Sequence, residues 1–166
     1  MRRGIAIGGF MATGKSTVGP LVARQLEVPF VDLDALIVKR AGAEIAEIFA
    51  RRGEPGFRVL EREALGCALQ QGRIVLALGG GTLHQLDNLE RIQATMDVVI
   101  LEASLATIKA RGGKSRPLWS RAEQLLAERQ PLYQRAGPQV RVDGLTPERV
   151  ARWVIAAAGG GEQGWF

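Results

Sequence analysis

The stretch Gly9-Phe10-Met11-Ala12-Thr13-Gly14-Lys15-Ser16-Thr17 constrains this chain more than any other part of it. It fits the pattern G-x-x-x-x-G-K-[ST], and its surroundings fit too. The apolar run 4–8 ahead of it reads as a short buried strand, and 17–26 after it sets Val18, Leu21, Val22 and Leu26 at helical spacing. Strand, glycine loop and helix in that order make a cradle for phosphate. The loop's N–H groups turn inward and it ends on a helix N-terminus that carries partial positive charge. In that arrangement Ala12, Thr13, Gly14 and Thr17 line the loop, Lys15 reaches the β- and γ-phosphates of a nucleotide, and the Ser16 hydroxyl ligates its Mg²⁺.

Length allows one domain with a single core, since 166 residues bury enough surface for it. With 46% hydrophobic and 23% charged residues the composition is that of a folded chain. The single cysteine, Cys67, rules out an internal disulfide and sits in an apolar helical stretch, where it reads as a small buried hydrophobe. No signal peptide fits the few residues before the first strand and no apolar run is long enough to span a bilayer, so a cytoplasmic protein without a membrane partner is expected. The net charge of +5 is spread along the chain, without a basic run interleaved with aromatics. Anionic small molecules account for it better than nucleic acid, which is not expected as a partner.

Residues 28–33 read as a second strand ending at Asp32 and Asp34. Two carboxylates at the carboxyl end of a strand beside a phosphate loop are placed to meet Mg²⁺ through water, for Asp32, and a second substrate, for Asp34. Asp34 also suits the N-cap of a helix over 35–40, and the two roles are compatible. Further helices are expected over 44–52 and 56–71, divided by Gly53-Glu54-Pro55-Gly56. This excursion is longer than a plain crossover and reads as an inserted substrate lobe, about 33–60. Phe57 and Arg58 open its last helix, where a guanidinium fork can meet a carboxylate; a solvated surface arginine is the alternative.

The run 73–78 is continuously apolar, as in a strand buried on both faces, and ends in Gly79-Gly80-Gly81. Three glycines there allow close approach of another molecule, or simply a flexible turn. His84 reads as a polar residue at a helix start. A strand over 97–101 and a helix over 104–111 capped by Ser104 follow. Arg111-Gly112-Gly113-Lys114-Ser115-Arg116-Pro117-Leu118 is glycine-rich and basic, the composition of a short lid, about 112–124, that brings Arg116 over phosphates, or of an exposed loop without a role. A helix over 121–135 should be kinked or interrupted at Pro131. A last strand over 139–142 and a helix Pro147–Ala158 capped by Thr146 precede a loose tail, 159–166. Alternating strands and helices imply an α/β domain of three layers, a mostly parallel sheet covered on both faces, of the P-loop kinase kind.

Taken together and in order, the glycine loop, Asp32-x-Asp34, Gly53-x-x-Gly56-Phe57-Arg58, Gly79-Gly80-Gly81, Arg116-Pro117-Leu118 and Arg129-Gln130-Pro131-Leu132-Tyr133 resemble shikimate kinases, nearly to residue 150. The resemblance implies a nucleoside-monophosphate-kinase-like fold and transfer of the γ-phosphate of ATP to the 3-hydroxyl of shikimate, in aromatic amino-acid biosynthesis. By the same resemblance Asp34 binds the substrate hydroxyls and acts as base, Arg58 and Arg129 grip the carboxylate with Phe57 beside them, and Gly79, Gly80 and Gly81 meet the ring. Ser16 and Asp32 serve Mg²⁺, Arg116 contacts the nucleotide phosphates, and Arg111 and Pro147 pack the adenine. A monomer is expected. Alternatives are another small-molecule kinase, such as a gluconate kinase, and a catalytically silent ATP-binding regulatory domain. The chain departs from the family at Ala12, usually glycine there, so its backbone should avoid the left-handed region.

Overall fold

The computed structural model describes residues 3–85, 87–112 and 119–159. Arg116, most of the expected lid and the tail beyond Gly159 lie outside the described residues. Five strands form one parallel sheet in the order β2-β3-β1-β4-β5. They are β1 (Gly4–Gly9), β2 (Phe30–Asp32), β3 (Val75–Ala77), β4 (Met96–Glu102) and β5 (Gln139–Arg141). β1 is central, and all six of its residues are buried. Ile7, Leu76 and Ile100 are almost wholly enclosed, each worth roughly 2 kcal/mol relative to exposure. The chain leaves β1 for the sheet's β2 edge, returns through β3 and continues on the other side with β4. The order therefore reverses at β1, and the glycine loop opens at that switch point.

The helices are α1 (Lys15–Leu26), α2 (Leu33–Ala41), α3 (Ile45–Leu69), α4 (Asn88–Thr95), α5 (Leu105–Arg111), α6 (Ala122–Ala136) and α7 (Pro147–Ala158). α1 packs against α7 on one part of the sheet, while α2 and α3 pack on each other between β2 and β3. Ser104 and Thr146 cap α5 and α7 by accepting from the N–H of Thr107 and Arg149, as their spacing predicts. No helix among the described residues is long and apolar enough to cross a membrane.

Five local expectations are corrected. The cap of α2 is Asp32, whose side chain accepts from Ala35 N–H, and Asp34 stands in the first helical turn, because the strand ends at Asp32 and the helix begins at once. The helices expected over 44–52 and 56–71 follow each other directly across Gly53, which alone takes non-helical angles (φ 66°, ψ −178°). Pro55 sits just past this break, where its missing N–H deprives no helical bond. α6 runs without interruption through Pro131, held by the buried face of Leu125, Arg129 and Tyr133. Cys67 is half-buried rather than enclosed. Ala12 takes φ 63°, the left-handed conformation its side chain was expected to avoid, because the loop's path from β1 to α1 demands it.

Candidate active site

The glycine loop closes on itself before it meets any ligand. Gly14, at φ 98°, supplies the N-cap position of α1, and the N–H groups of Thr17 and Val18 return to its carbonyl. Thr13 Oγ1 donates to Phe10 O at 2.8 Å. The buried Lys15 ammonium donates to the carbonyls of Gly9 and Phe10 at 2.8 and 2.7 Å, which holds it over the loop mouth. Arg111 Nη1 donates to Ala12 O at 3.2 Å, so the end of α5 lies against the loop.

These residues line a cavity of about 540 Å³ at the carboxyl edge of the sheet. Ala12, Thr13, Gly14, Lys15, Ser16 and Thr17 form one wall, and Val142, Leu145, Pro147 and Val150 give an apolar end with Arg111 beside it. One end thus suits phosphates and the other a flat heterocycle. Ser16 Oγ donates to Asp32 Oδ2 at 2.5 Å within this cavity. A hydroxyl and a carboxylate oxygen meeting there fit a hard divalent cation that takes its remaining ligands from water and phosphate.

A second cavity, about 350 Å³, adjoins the first. Asp34 and Gly80 line both. Phe49, Phe57, Met11 and Ile45 make an apolar wall, with the two phenyl rings 4.7 Å apart. Opposite stand two guanidinium groups. A Cβ placed on Gly81 would lie 2.7 Å from both Arg58 Nη2 and Arg129 Nη2, so these cations converge on one spot. Arg58 is held from behind by Glu61 at 2.9 Å and Glu54 at 3.1 Å. Arg129, on α6, is buried and lies over the Phe10 ring at 5.7 Å. Two converging cations, one carboxylate and a glycine backbone across an apolar wall can hold a small cyclic hydroxy-acid by its carboxylate and its hydroxyls.

The floor is a buried polar network. Glu61 is fully buried; Thr82 Oγ1 donates to its Oε2 at 2.8 Å, and Asn88 Nδ2 donates to Thr82 O. Burial raises the Glu61 carboxyl above its ordinary value and Asp34 adds to this, against the pull of Arg58 and Thr82. Burial likewise lowers the Arg129 guanidinium, and pushes the Tyr133 phenol up to about 12. Tyr133 donates to Gly80 O at 2.5 Å. His84 closes the short 3-10 turn Thr82–His84, its Nε2 3.2 Å from Arg129 O, and burial lowers its pKa.

The residues singled out in the sequence therefore gather at two adjoining cavities: Ala12 to Thr17, Asp32, Arg111 and Pro147 at the first, Phe57, Arg58, Gly79, Gly81 and Arg129 at the second, Asp34 and Gly80 at both. Arg116 lies outside the described residues. Sequence reasoning missed Glu61 and gave Tyr133 no role. Glu61 follows Arg58 by three residues on one helix, a spacing that pairs charges. Tyr133 follows Arg129 by four, on the buried face that Leu125 and Ala136 share, where it reads as an ordinary core residue.

Comparison with known proteins agrees with this geometry. The family model described as shikimate kinase matches residues 11–158. A shikimate kinase of Thermodesulfovibrio yellowstonii is 38% identical over 161 residues, which cover 92% of this chain and 93% of the relative. The shikimate kinase of Acinetobacter baumannii, solved in complex with shikimate, superposes with a TM-score of 0.89 at 30% identity, over 93% of this chain and 91% of its own. A gluconokinase of Sinorhizobium meliloti, 18% identical with a TM-score of 0.59 over 96% of this chain and 94% of its own, shares the fold alone. A match of this length, with relatives this similar over their whole length, means that the chain belongs to the shikimate kinase family.

Proposed function

We propose that this chain transfers the γ-phosphoryl group of ATP to the 3-hydroxyl of shikimate, giving shikimate 3-phosphate and ADP. The observation that carries this reading is the second cavity, where Arg58 and Arg129 converge across from Asp34 and Asp34 also faces the glycine-loop cavity. A carboxylate gripped by both arginines sets the ring so that its hydroxyls meet Asp34 and Gly80, at the border with the nucleotide phosphates. Asp34 then orients the attacking hydroxyl and accepts its proton. Phosphoryl transfer through a loose transition state asks the protein for position and charge rather than covalent chemistry. Lys15 supplies charge at the phosphates.

Ser16 and Asp32 would hold Mg²⁺, which, when bound, neutralises phosphate charge. Arg111 and Pro147 flank the adenine, and Arg116 is assigned the remaining phosphate contact. In the same reading residues 33–60 serve as the substrate lobe and about 112–124 as the lid, and the enzyme acts as a monomer in the cytoplasm. Its partners are ATP and shikimate, not nucleic acid or membrane.

The test is ADP release from Mg-ATP with shikimate, gluconate or quinate, using Lys15→Met as the inactive control. Shikimate-dependent release, lost in the variant, is the expected result. Release with gluconate alone would move the substrate assignment. ATP binding without release under any acid would point to a regulatory domain instead.

A further inference from the structure

Resting on this reading, the structure points to one more residue that sets substrate geometry. We propose that Tyr133 is a positioning residue for the phosphoryl acceptor, acting through the peptide between Gly80 and Gly81. Tyr133 is buried, only 3% exposed, and lines neither of the two cavities joined at Gly80. Its hydroxyl donates to Gly80 O at 2.5 Å from behind the loop, and on the same helix face it meets the Arg129 guanidinium, one turn earlier.

A glycine-rich loop needs such a pin. Gly79, Gly80 and Gly81 have no side chains to limit their angles, and a peptide flanked by glycine on both sides reorients at little cost. Each carbonyl of the loop is held by its own donor. Thr82 N–H donates to Gly79 O and His84 N–H to Gly81 O, Thr82 Oγ1 ties the end of the loop to Glu61, and Tyr133 fixes the carbonyl in its middle. Because the peptide is trans and planar, a carbonyl aimed at Tyr133 sends the N–H of Gly81 the other way, toward the side on which the loop lines the substrate cavity. The same hydroxyl that orients this peptide stands beside Arg129. One side chain therefore registers both ends of the substrate site, the cation for the carboxylate and the backbone for the hydroxyls. The high pKa of the phenol, about 12, keeps it a donor at any working pH. His84 backs the ring edge-on, with centroids 5.2 Å apart, and its Nε2 meets Arg129 O, which completes the clamp between α6 and the loop.

Tyr133 is the only tyrosine in the chain, which makes the test clean. Tyr133→Phe keeps the ring and removes the bond. Its shikimate KM should rise about five- to tenfold, the worth of one neutral hydrogen bond, while ATP KM changes by less than about twofold. A folded variant with shikimate KM within about twofold of wild type overturns the proposal, as does an equal rise of both KM values with a fall in Tm, the pattern of a merely structural role. If Tyr133→Phe does not fold, the full-length protein grown with 3-fluorotyrosine decides, because it carries a single ¹⁹F reporter at position 133. Saturating shikimate should shift that resonance; an unmoved signal under shikimate that is being turned over sinks the idea. Wild-type protein inert toward shikimate would instead sink the reading of function, and this inference with it.

Discussion

Asp34 Oδ1 and Glu61 Oε2 converge on Gly79, each 3.1 Å from the point where a Cβ on that glycine would sit. The same point is 2.9 Å from Thr82 Oγ1, so only a glycine fits between the two acids and the loop. The carboxylates nevertheless do different work. Glu61 is turned to Arg58 and Thr82 in the floor, whereas Asp34 faces both cavities. Asp34→Asn keeps the shape and removes the proposed base, so kcat with shikimate should fall by about 10²- to 10⁴-fold. ATP affinity, measured by calorimetry, should stay the same. A kcat within about threefold of wild type would take Asp34 out of the proton-accepting role.

Glu61 gives a pH signature of opposite kind to a surface acid. Burial first, and the charge of Asp34 last, raise its carboxyl above 4.5, and Arg58 and Thr82 do not fully offset this. Between 4.5 and its raised native value, the folded protein holds a proton that the unfolded chain has released. Its contribution to stability is therefore complete below that window and is lost as pH rises through it. Glu61→Gln cannot titrate. The Tm difference, wild type minus variant, should fall as pH is raised from below 4.5 toward neutrality. A difference that rises over this range would mean that the Arg58 pair, not burial, governs the group.

Arg58 and Arg129 meet at Gly81 and offer a carboxylate two planar forks. Lysine keeps the charge at either position but loses the paired geometry. Arg58→Lys or Arg129→Lys should raise shikimate KM about ten- to a hundredfold, the worth of a hydrogen bond to a charged group, with ATP KM little changed. Shikimate methyl ester, which lacks the carboxylate charge, should be used equally poorly by wild type and variants. If the variants weakened the ester as much as the acid, the arginines would be acting on something other than the carboxylate.

Much of this site was legible because its parts are contiguous. Gly9 to Thr17 carries loop, cation and proposed metal ligand in nine neighbouring residues, and Gly79-Gly80-Gly81 announces itself at the end of an apolar run. The alternation of strands and helices likewise reads directly as a parallel sheet. Less legible were features decided by register or by distant partners. Asp32 and Asp34 are both good caps, and only the observed end of β2 decides that Asp32 caps α2. Glu61 becomes a floor residue through Thr82, twenty-one positions away, and Tyr133 through Gly80, fifty-three away. No local pattern carries such pairs. Pro131 misled because propensity costs a helix one bond, whereas the buried Arg129 and Tyr133 face fixes the whole of α6.

Ala12 stores strain that can be measured. Its φ of 63° is one of two positive values among the described non-glycine residues, the other being Glu27 at the end of α1. An L-residue there pays about 1 kcal/mol for its Cβ, and glycine avoids that cost at the expense of a more flexible unfolded chain. The strain outweighs the entropy when the conformation is enforced, and here it is: Ala12 lies between the end of β1 and the cap of α1, and its carbonyl is held by Arg111. Ala12→Gly should therefore stabilise the fold by up to ~1 kcal/mol, a rise in Tm of about 2–4 °C for a domain of this size. Arg111 still finds the same carbonyl, so ATP KM should move by less than about twofold. A Tm lowered by a similar amount would mean that the methyl group's packing against the core outweighs the strain, and that this chain keeps alanine at position 12 for stability.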